Sequence, residues 1–103
     1  MARKSESAFR LGRPSASEDV ADRAAQDATF ATFCYQCLRR HANSDWGNIS
    51  IQDKARNQRA LEEGSRILSA YRRKGCPDIW IVTEADRSST KILFPREYQG
   101  EPC

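Results

Sequence analysis

The sequence predicts an α+β fold in which N-terminal helices pack on a C-terminal three-stranded antiparallel meander. Two observations favour this fold class. Between positions 28 and 42 the apolar residues recur every three or four positions, as they do on one face of a helix. After Gly64 the pattern changes to three short runs of β-branched and aromatic residues with turn residues between them. The 103 residues, of which 39% are apolar, are enough for one domain with a modest core.

The first thirteen residues are predicted to form a flexible basic segment, with a short edge strand over 8–12 that ends at Gly12 and Pro14. The formal net charge of the chain, +3, is already reached within this segment by Arg3, Lys4, Glu6, Arg10 and Arg13. We expect the folded domain to span residues 14–98, followed by a tail at 99–103. No apolar block follows the first charges and no long apolar run occurs later. We therefore expect neither a secretory signal nor a membrane span, and a cytoplasmic location.

Two helices are predicted in the first half of the chain. Ser15 or Ser17 can cap the first helix, whose apolar residues are nearly all alanine, so it packs thinly. Asp27 can cap the second helix, over 28–42. Its apolar stripe is the strongest periodic signal in the chain and consists of Phe30, Phe33, Cys34, Cys37, Leu38 and His41.

A turn and a polar third helix lead to the sheet. Ser50 begins this helix, and Gly64 is the expected stop after Glu63. The three runs that follow predict strands over 66–73, 78–85 and 90–95. Because the connections between them are short, the strands must be antiparallel neighbours.

Both faces of the central strand are predicted to be apolar. Alternate side chains of a strand point to opposite sides, so Ile79 and Ile81 share one face while Trp80 and Val82 share the other. We expect the helices to cover only one of these faces. The second face is left for the N-terminal segment, for a second copy of the chain in a homodimer, or for a partner.

The four cysteines and the single histidine are the candidates for metal or redox chemistry. A zinc site would use Cys34, Cys37 and His41, with Cys76 or Cys103 as the fourth ligand. A redox pair would need the Cys34–Cys37 motif at the start of a helix, whereas it lies in the middle of one. We therefore favour core packing for both thiols, and we expect neither a metal nor a cofactor. His41 is interpreted as a helix-end residue that contacts the last carbonyls.

The stretch from Glu84 to Thr90 is the most polar one beside the predicted strands. Glu84 and Asp86 could form an acid–base pair or bind Mg²⁺. We favour a hairpin connection in which Asp86 makes an Asx-turn, because no third carboxylate and no glycine-rich phosphate loop accompany the pair. The sequence therefore predicts a protein that is not an enzyme.

Several stretches resemble a family of small bacterial proteins encoded on plasmids, integrative elements and prophages. The resemblance covers roughly residues 38–98, and its most specific part is the run IWIVTEADRSST that begins at Ile79. It also includes the turn at Asp45-Trp46-Gly47 and the segment ILFP with the following Glu97-Tyr98. The N-terminal third and the four cysteines depart from the family pattern.

The resemblance implies a cargo protein of a bacterial mobile element. From it we expect a non-catalytic inhibitor of a host defence complex, either of the anti-CRISPR type or directed against a restriction complex. Exposed connections rather than buried strands should supply the specificity. The predicted partner-binding residues are Asp45, Trp46, Glu84, Asp86, Arg87, Arg39, Arg40, Arg72 and Arg73.

Two other functions stay open from the residues. One is a small nucleic-acid-binding accessory or regulatory protein of the element, which would use the basic N-terminus and the arginines at 39, 40, 72 and 73. Against it, aromatic residues do not alternate with these basic runs, and a solvated rim is their simplest interpretation. The other is a redox or zinc protein built on Cys34 and Cys37.

Overall fold

The computed structural model describes residues 9–98, and it has the predicted α+β fold. The first strand of a four-stranded sheet comes first along the chain, three helices follow it, and the other three strands come last. The sheet has the strand order β1-β4-β3-β2. The elements are β1 (Arg13–Ala16), α1 (Glu18–Gln26), α2 (Ala28–Ala42), α3 (Ile51–Glu63), β2 (Ile67–Tyr71), β3 (Ile79–Thr83), β4 (Ser89–Leu93) and a 3-10 turn (Pro95–Glu97). The predicted tail at 99–103 and residues 1–8 of the predicted basic segment lie outside the described residues.

Short polar side chains start all three helices, as predicted. The Ser17 hydroxyl accepts a hydrogen bond from the Val20 amide at 3.2 Å. Asp27 accepts from the Phe30 amide at 3.1 Å, and Ser50 accepts from the Asp53 amide at 3.0 Å. Each bond satisfies an amide that the first turn of a helix leaves without a backbone partner.

The predicted meander is confirmed, with strands one or two residues shorter at most ends than the sequence suggested, and with the last strand beginning one residue earlier. β2, β3 and β4 are antiparallel neighbours, with Ile81 of β3 opposite Ser69 of β2 and Ile92 of β4. This register places Tyr71, Ile79, Ile81 and Ile92 on one face, since residues directly opposite each other point to the same side. Val20, Phe30, Phe33, Cys34 and Cys37 of α1 and α2 complete the core on this face.

The N-terminal strand exists, but its predicted position over 8–12 is wrong. β1 begins at Arg13, directly after Gly12, and runs parallel to β4. Gly12 has a φ of 67°, and a Cβ there would lie 2.3 Å from the Ser88 carbonyl. Gly12 is therefore where the chain turns into the strand, not where the strand ends. Pro14 is tolerated because β1 is an edge strand.

The packed domain also begins earlier than residue 14. The Phe9 ring contacts those of His41 and Trp46, with centroid distances of 5.5 and 6.0 Å. The Leu11 carbonyl accepts a hydrogen bond from the Thr90 hydroxyl at 2.8 Å. Residues from Phe9 onward are thus part of the fold. No helix within residues 9–98 is long and apolar enough to cross a bilayer.

Candidate functional site

A groove lies between α3 and the sheet face that α1 and α2 leave uncovered. Leu68 of β2 and Trp80 of β3 form its floor, and both are half-buried. Ala60 of α3 lines one side, and Tyr98 lines the groove beyond Trp80. The cavity has a volume of about 540 Å³. We call it the open-face groove.

The side of the groove along α3 is held by one buried asparagine. The Asn57 amide donates to the Leu68 carbonyl at 2.8 Å, and its side-chain oxygen accepts from the Leu68 amide at 3.3 Å. At the outer edge of β2, the Asn57 side chain thus makes the backbone hydrogen bonds that a neighbouring strand would make. These bonds hold α3 beside that edge. The polar sequence of this helix is consistent with so exposed a position.

The Tyr98 side of the groove depends on the 3-10 turn. A Glu97 carboxylate oxygen accepts hydrogen bonds from the Phe94 amide at 2.7 Å and from the Ser17 hydroxyl at 2.9 Å. These bonds position the turn so that the Tyr98 ring meets Trp80 edge-on, with centroids 5.4 Å apart. Two aromatic rings from distant parts of the sequence thus meet at the open face of the sheet.

Charged side chains of both signs surround this apolar floor. Arg56 pairs with Asp53 at 3.5 Å, and Arg66 pairs with Glu84 at 3.6 Å while donating to the Tyr98 hydroxyl at 3.1 Å. Arg59 and Glu63 also line the groove. The exposed ion pairs contribute little to stability, so Asp53 and Arg56 can exchange their pairing for contacts with a partner.

The predicted Glu84–Ser89 surface is only partly free. Asp86 accepts a hydrogen bond from the Ser88 amide at 3.0 Å, which is the expected Asx-turn. Hydrogen bonds from Ser88 hold the pKa of the Asp86 carboxyl below its usual range. Arg87, in contrast, donates to the Ser65 carbonyl at 2.6 Å and to the Ala60 carbonyl at 2.9 Å. Its guanidinium ties the end of α3 to the hairpin, so it acts as an internal clamp.

Trp46, one of the predicted partner-binding residues, is buried in the core and is not exposed to a partner. Its side chain is only 4% exposed and packs with Ala60 and Ile67. The neighbouring Asp45 is exposed and forms a two-point ion pair with Arg40, at 2.8 and 3.2 Å. The hydrogen bond from Arg40 keeps the pKa of Asp45 below its usual range.

The other predicted arginines do not belong to the groove. Arg39 and Arg40 are exposed near the end of α2, and Arg72 and Arg73 are exposed just after β2. The structure therefore does not unite the predicted residues in one site. Glu84 borders the open face, whereas none of these four arginines lines the groove.

His41 does not contact the helix-end carbonyls, because its buried ring points into the sheet. Nδ1 lies 2.6 Å from the Ser69 hydroxyl and Nε2 lies 2.9 Å from the Thr83 hydroxyl. Burial lowers the pKa of His41 to about 3, so the ring is neutral. Both ring nitrogens are thus engaged by hydroxyl groups.

The two α2 cysteines are buried among apolar side chains. Burial raises the pKa of Cys34 to about 11 and that of Cys37 to about 12, so both thiols are protonated and poorly nucleophilic. Across residues 9–98, no group of three or more His, Cys, Asp or Glu side chains is arranged to hold a metal ion. Cys103, one of the two candidates for a fourth ligand, lies outside that range.

Sequence reasoning missed most of the open-face groove. The apolar alternation of β3 did indicate a second face containing Trp80. Nothing local indicated that α3 would lie beside β2, or that Tyr98 would fold back over the sheet.

Comparison of the chain with protein-family models, with curated proteins and with solved structures finds no match.

Proposed function

We propose that this chain is a non-catalytic binding protein that holds a segment of another protein in the open-face groove. The observation that carries the proposal is the half-exposed Trp80 on an apolar floor, between a helix and Tyr98. Tryptophan and tyrosine are enriched among the residues that dominate binding energy at protein interfaces. A partner side chain that covers Trp80 would also bury the adjacent Leu68.

The charges around the groove favour a protein over a nucleic acid. Asp53 and Glu63 would repel a phosphate backbone, while Arg56 and Arg59 would attract it. A polypeptide segment can present charges of both signs around an apolar anchor. Complementary charges of this kind contribute specificity and association rate more than affinity.

The partner class rests on the resemblance to mobile-element proteins. We propose that the partner is a subunit of a bacterial CRISPR or restriction complex, and that binding inhibits the complex. Occupying one subunit surface needs no catalytic group, which is consistent with the neutral, engaged His41 and the protonated cysteines.

The test is capture of defence complexes from bacterial lysates, followed by binding measurements with groove variants. We expect Trp80→Ala, and separately Arg59→Glu, to weaken binding at least tenfold, which is about 1.4 kcal/mol. The matched apolar control is Ile51→Ala, because Ile51 is 81% exposed and does not line the groove. Circular dichroism would establish that each variant is folded.

Two outcomes would contradict the proposal. Folded groove variants that bind the captured complex as tightly as the unmodified chain would exclude the groove as the interface. A dimer in solution that dissociates on Trp80→Ala would instead show that a second copy of the chain covers this face. An inhibition assay in cells carrying the captured system then tests the consequence of binding.

A further inference from the structure

The geometry points to a second binding surface, where the end of α2 meets the connection after β2, that contacts the phosphate backbone of a single-stranded nucleic acid. We call it the basic surface, and it consists of Arg39, Arg40, Arg72, Arg73 and Lys74. It shares no residue with the open-face groove, so it does not depend on the proposed function.

Cations outnumber carboxylates on this surface, which is bordered by Asp45, the partner of Arg40, and by the exposed Asp78. Residues 28–42 and 72–77 contain these five cations and no aspartate or glutamate. His41 is neutral and buried. Unlike the edge of the open-face groove, the two segments therefore offer a phosphate chain attraction without an internal carboxylate to repel it.

Tertiary packing brings the two basic runs together, although more than thirty residues separate them in the sequence. The Arg40 guanidinium lies 4.9 Å from the centre of the Tyr71 ring, and Arg72 follows Tyr71 directly. Farther along the same connection, Cys76 packs against the core cluster that contains Cys34 and Cys37 of α2. The connection over 72–77 therefore passes close to α2, near the end of the helix that carries Arg39 and Arg40.

These cations have few ion-pair partners, unlike four of the arginines elsewhere on the molecule. Arg23, Arg56, Arg66 and Arg96 each pair with a carboxylate. Within residues 9–98, the side chains of Arg72, Arg73 and Lys74 form no ion pair, and only Arg40 of the basic surface does, with Asp45. Adjacent exposed cations without carboxylate partners attract an anion and favour its binding.

An exposed aromatic ring favours a single strand over a duplex. Tyr35 is 60% exposed, and the Arg39 guanidinium lies 6.0 Å from the centre of its ring. A base of a single strand can stack on such a ring while the neighbouring cations contact phosphates. In a duplex the bases are already stacked, so only the phosphate contacts would remain.

The experiment measures fluorescence anisotropy of labelled mixed-sequence oligonucleotides, as single-stranded DNA, single-stranded RNA and duplex DNA, with the full chain. The test variant combines Arg72→Gln, Arg73→Gln and Lys74→Gln. The control combines Arg10→Gln, Arg13→Gln and Lys91→Gln, which removes the same charge from exposed positions outside the basic surface. A separate variant, Tyr35→Ala, tests stacking.

We expect the test variant to bind single strands at least tenfold more weakly and the control less than about threefold, at a salt concentration of about 50 mM. The slope of log affinity against log salt should fall in magnitude by about 2, since each lost single-strand phosphate contact contributes about 0.7. Tyr35→Ala should weaken binding to single strands and leave duplex binding unchanged. RNA and DNA are distinguished by their separate affinities.

Three outcomes would overturn the inference. Equal losses in the test and control variants would show that net charge alone governs binding. Undetectable binding of all three oligonucleotides at low salt would show that the basic surface is not a nucleic-acid site. Binding to vesicles of anionic lipid, with no binding to either nucleic acid, would assign the cations to a membrane surface. None of these outcomes bears on the protein partner of the open-face groove.

Discussion

The state of His41 follows from counting protons along a chain of buried hydroxyl groups. The Thr90 hydroxyl donates to the Leu11 carbonyl, so its only proton is used there. In the 2.7 Å bond between Thr83 and Thr90, the donor must therefore be Thr83. His41 then has to donate to Thr83 from Nε2, while its Nδ1 accepts from Ser69. A proton on Nε2 is therefore required, and because burial keeps the ring neutral, Nδ1 carries none and is the acceptor.

This arrangement predicts that acid destabilises the fold well above the pKa of the carboxylates. Burial lowers the pKa of His41 from about 6.5 in the unfolded chain to about 3 in the folded one. Below pH 6.5 the unfolded chain binds a proton that the folded chain does not. The free energy of unfolding therefore falls with decreasing pH, by up to about 1.4 kcal/mol per unit, until the folded ring titrates.

Urea unfolding at several pH values tests this prediction. We expect a loss of about 1 kcal/mol between pH 7 and pH 5.5. His41 is the only histidine, so other side chains contribute little in this range. His41→Gln should be less stable overall, because the hydroxyl chain is broken, and its stability should vary little over the same range. Equal stability of the unmodified chain at both pH values would contradict the neutral, buried state.

Arg87 combines a clamp with an unfavourable backbone conformation. Its φ is 61°, a region that costs a residue with a side chain about 1 kcal/mol. The hydrogen bonds to Ser65 and Ala60 offset this cost. A residue expected from the sequence to meet a partner thus has a structural role in the hairpin.

Comparing two substitutions at Arg87 separates the clamp from the backbone strain. Arg87→Ala removes the hydrogen bonds and keeps the strain, so we expect a loss of about 2 kcal/mol in the free energy of unfolding. Arg87→Gly removes the same bonds but relieves the strain, and should lose about 1 kcal/mol less. Both values come from denaturant unfolding. Equal stability of Arg87→Ala and the unmodified chain would show that the guanidinium contacts contribute nothing.

At the scale of elements, the outer edge of β2 is protected by segments that are not strands. Asn57 pairs with the backbone of Leu68, the Asn48 amide donates to the Ala70 carbonyl at 2.7 Å, and the Ala70 amide donates to the Trp46 carbonyl at 3.3 Å. An edge strand with free backbone groups invites pairing with another chain. The Trp46–Asn48 turn and α3 together prevent that pairing at β2.

This edge depends on Gly47. It has a φ of 74°, and a Cβ there would lie 2.1 Å from the Ala70 carbonyl oxygen. We expect Gly47→Ala to displace the turn from β2 and to cost more than 2 kcal/mol, because backbone strain and a steric clash add. The measurement is the free energy of unfolding.

Gly64 supplies the matched control, because its φ of 78° is similar but nothing lies within 4 Å of a Cβ there. Gly64→Ala should therefore cost only the backbone strain, about 1 kcal/mol. If both alanine variants lose the same stability, close packing of the turn on β2 is not what requires glycine at position 47.

At the scale of the whole molecule, the sheet separates two surfaces of different chemistry. α1 and α2 cover one face, and the basic surface begins at the end of α2, where Arg40 packs over Tyr71. The other face carries Leu68 and Trp80 and is partly covered by Tyr98. The two proposals together imply that the chain contacts two partners at once, or two components of one complex.

We predict that the two surfaces act independently. Trp80→Ala should leave oligonucleotide affinity unchanged, and the triple substitution at Arg72, Arg73 and Lys74 should leave protein affinity unchanged. In the combined variant each loss should match that of the separate variants within about 0.5 kcal/mol, as is usual for distant sites. Anisotropy titrations and the protein-binding assay provide the values. A Trp80→Ala variant that loses oligonucleotide affinity would instead indicate one continuous interface.

The sequence alone was sufficient for the features that depend on near neighbours. Ser17, Asp27 and Ser50 begin helices where predicted, because each satisfies an amide only three residues away. Gly64 ends α3 because it adopts the left-handed conformation at low cost. The buried stripe of α2 and the three meander strands follow from hydrophobic periodicity within short windows.

Tertiary structure decided the features that need partners far along the chain. β1 forms only because β4, more than seventy residues later, offers it an edge. His41 is neutral because Ser69 and Thr83 meet it across the core, and Arg87 is a clamp because the end of α3 lies beside the hairpin. The open-face groove likewise needs α3, β3 and Tyr98 together. Periodicity and capping report only on contacts within a few residues, whereas these sites are made by long-range packing whose geometry no local pattern encodes.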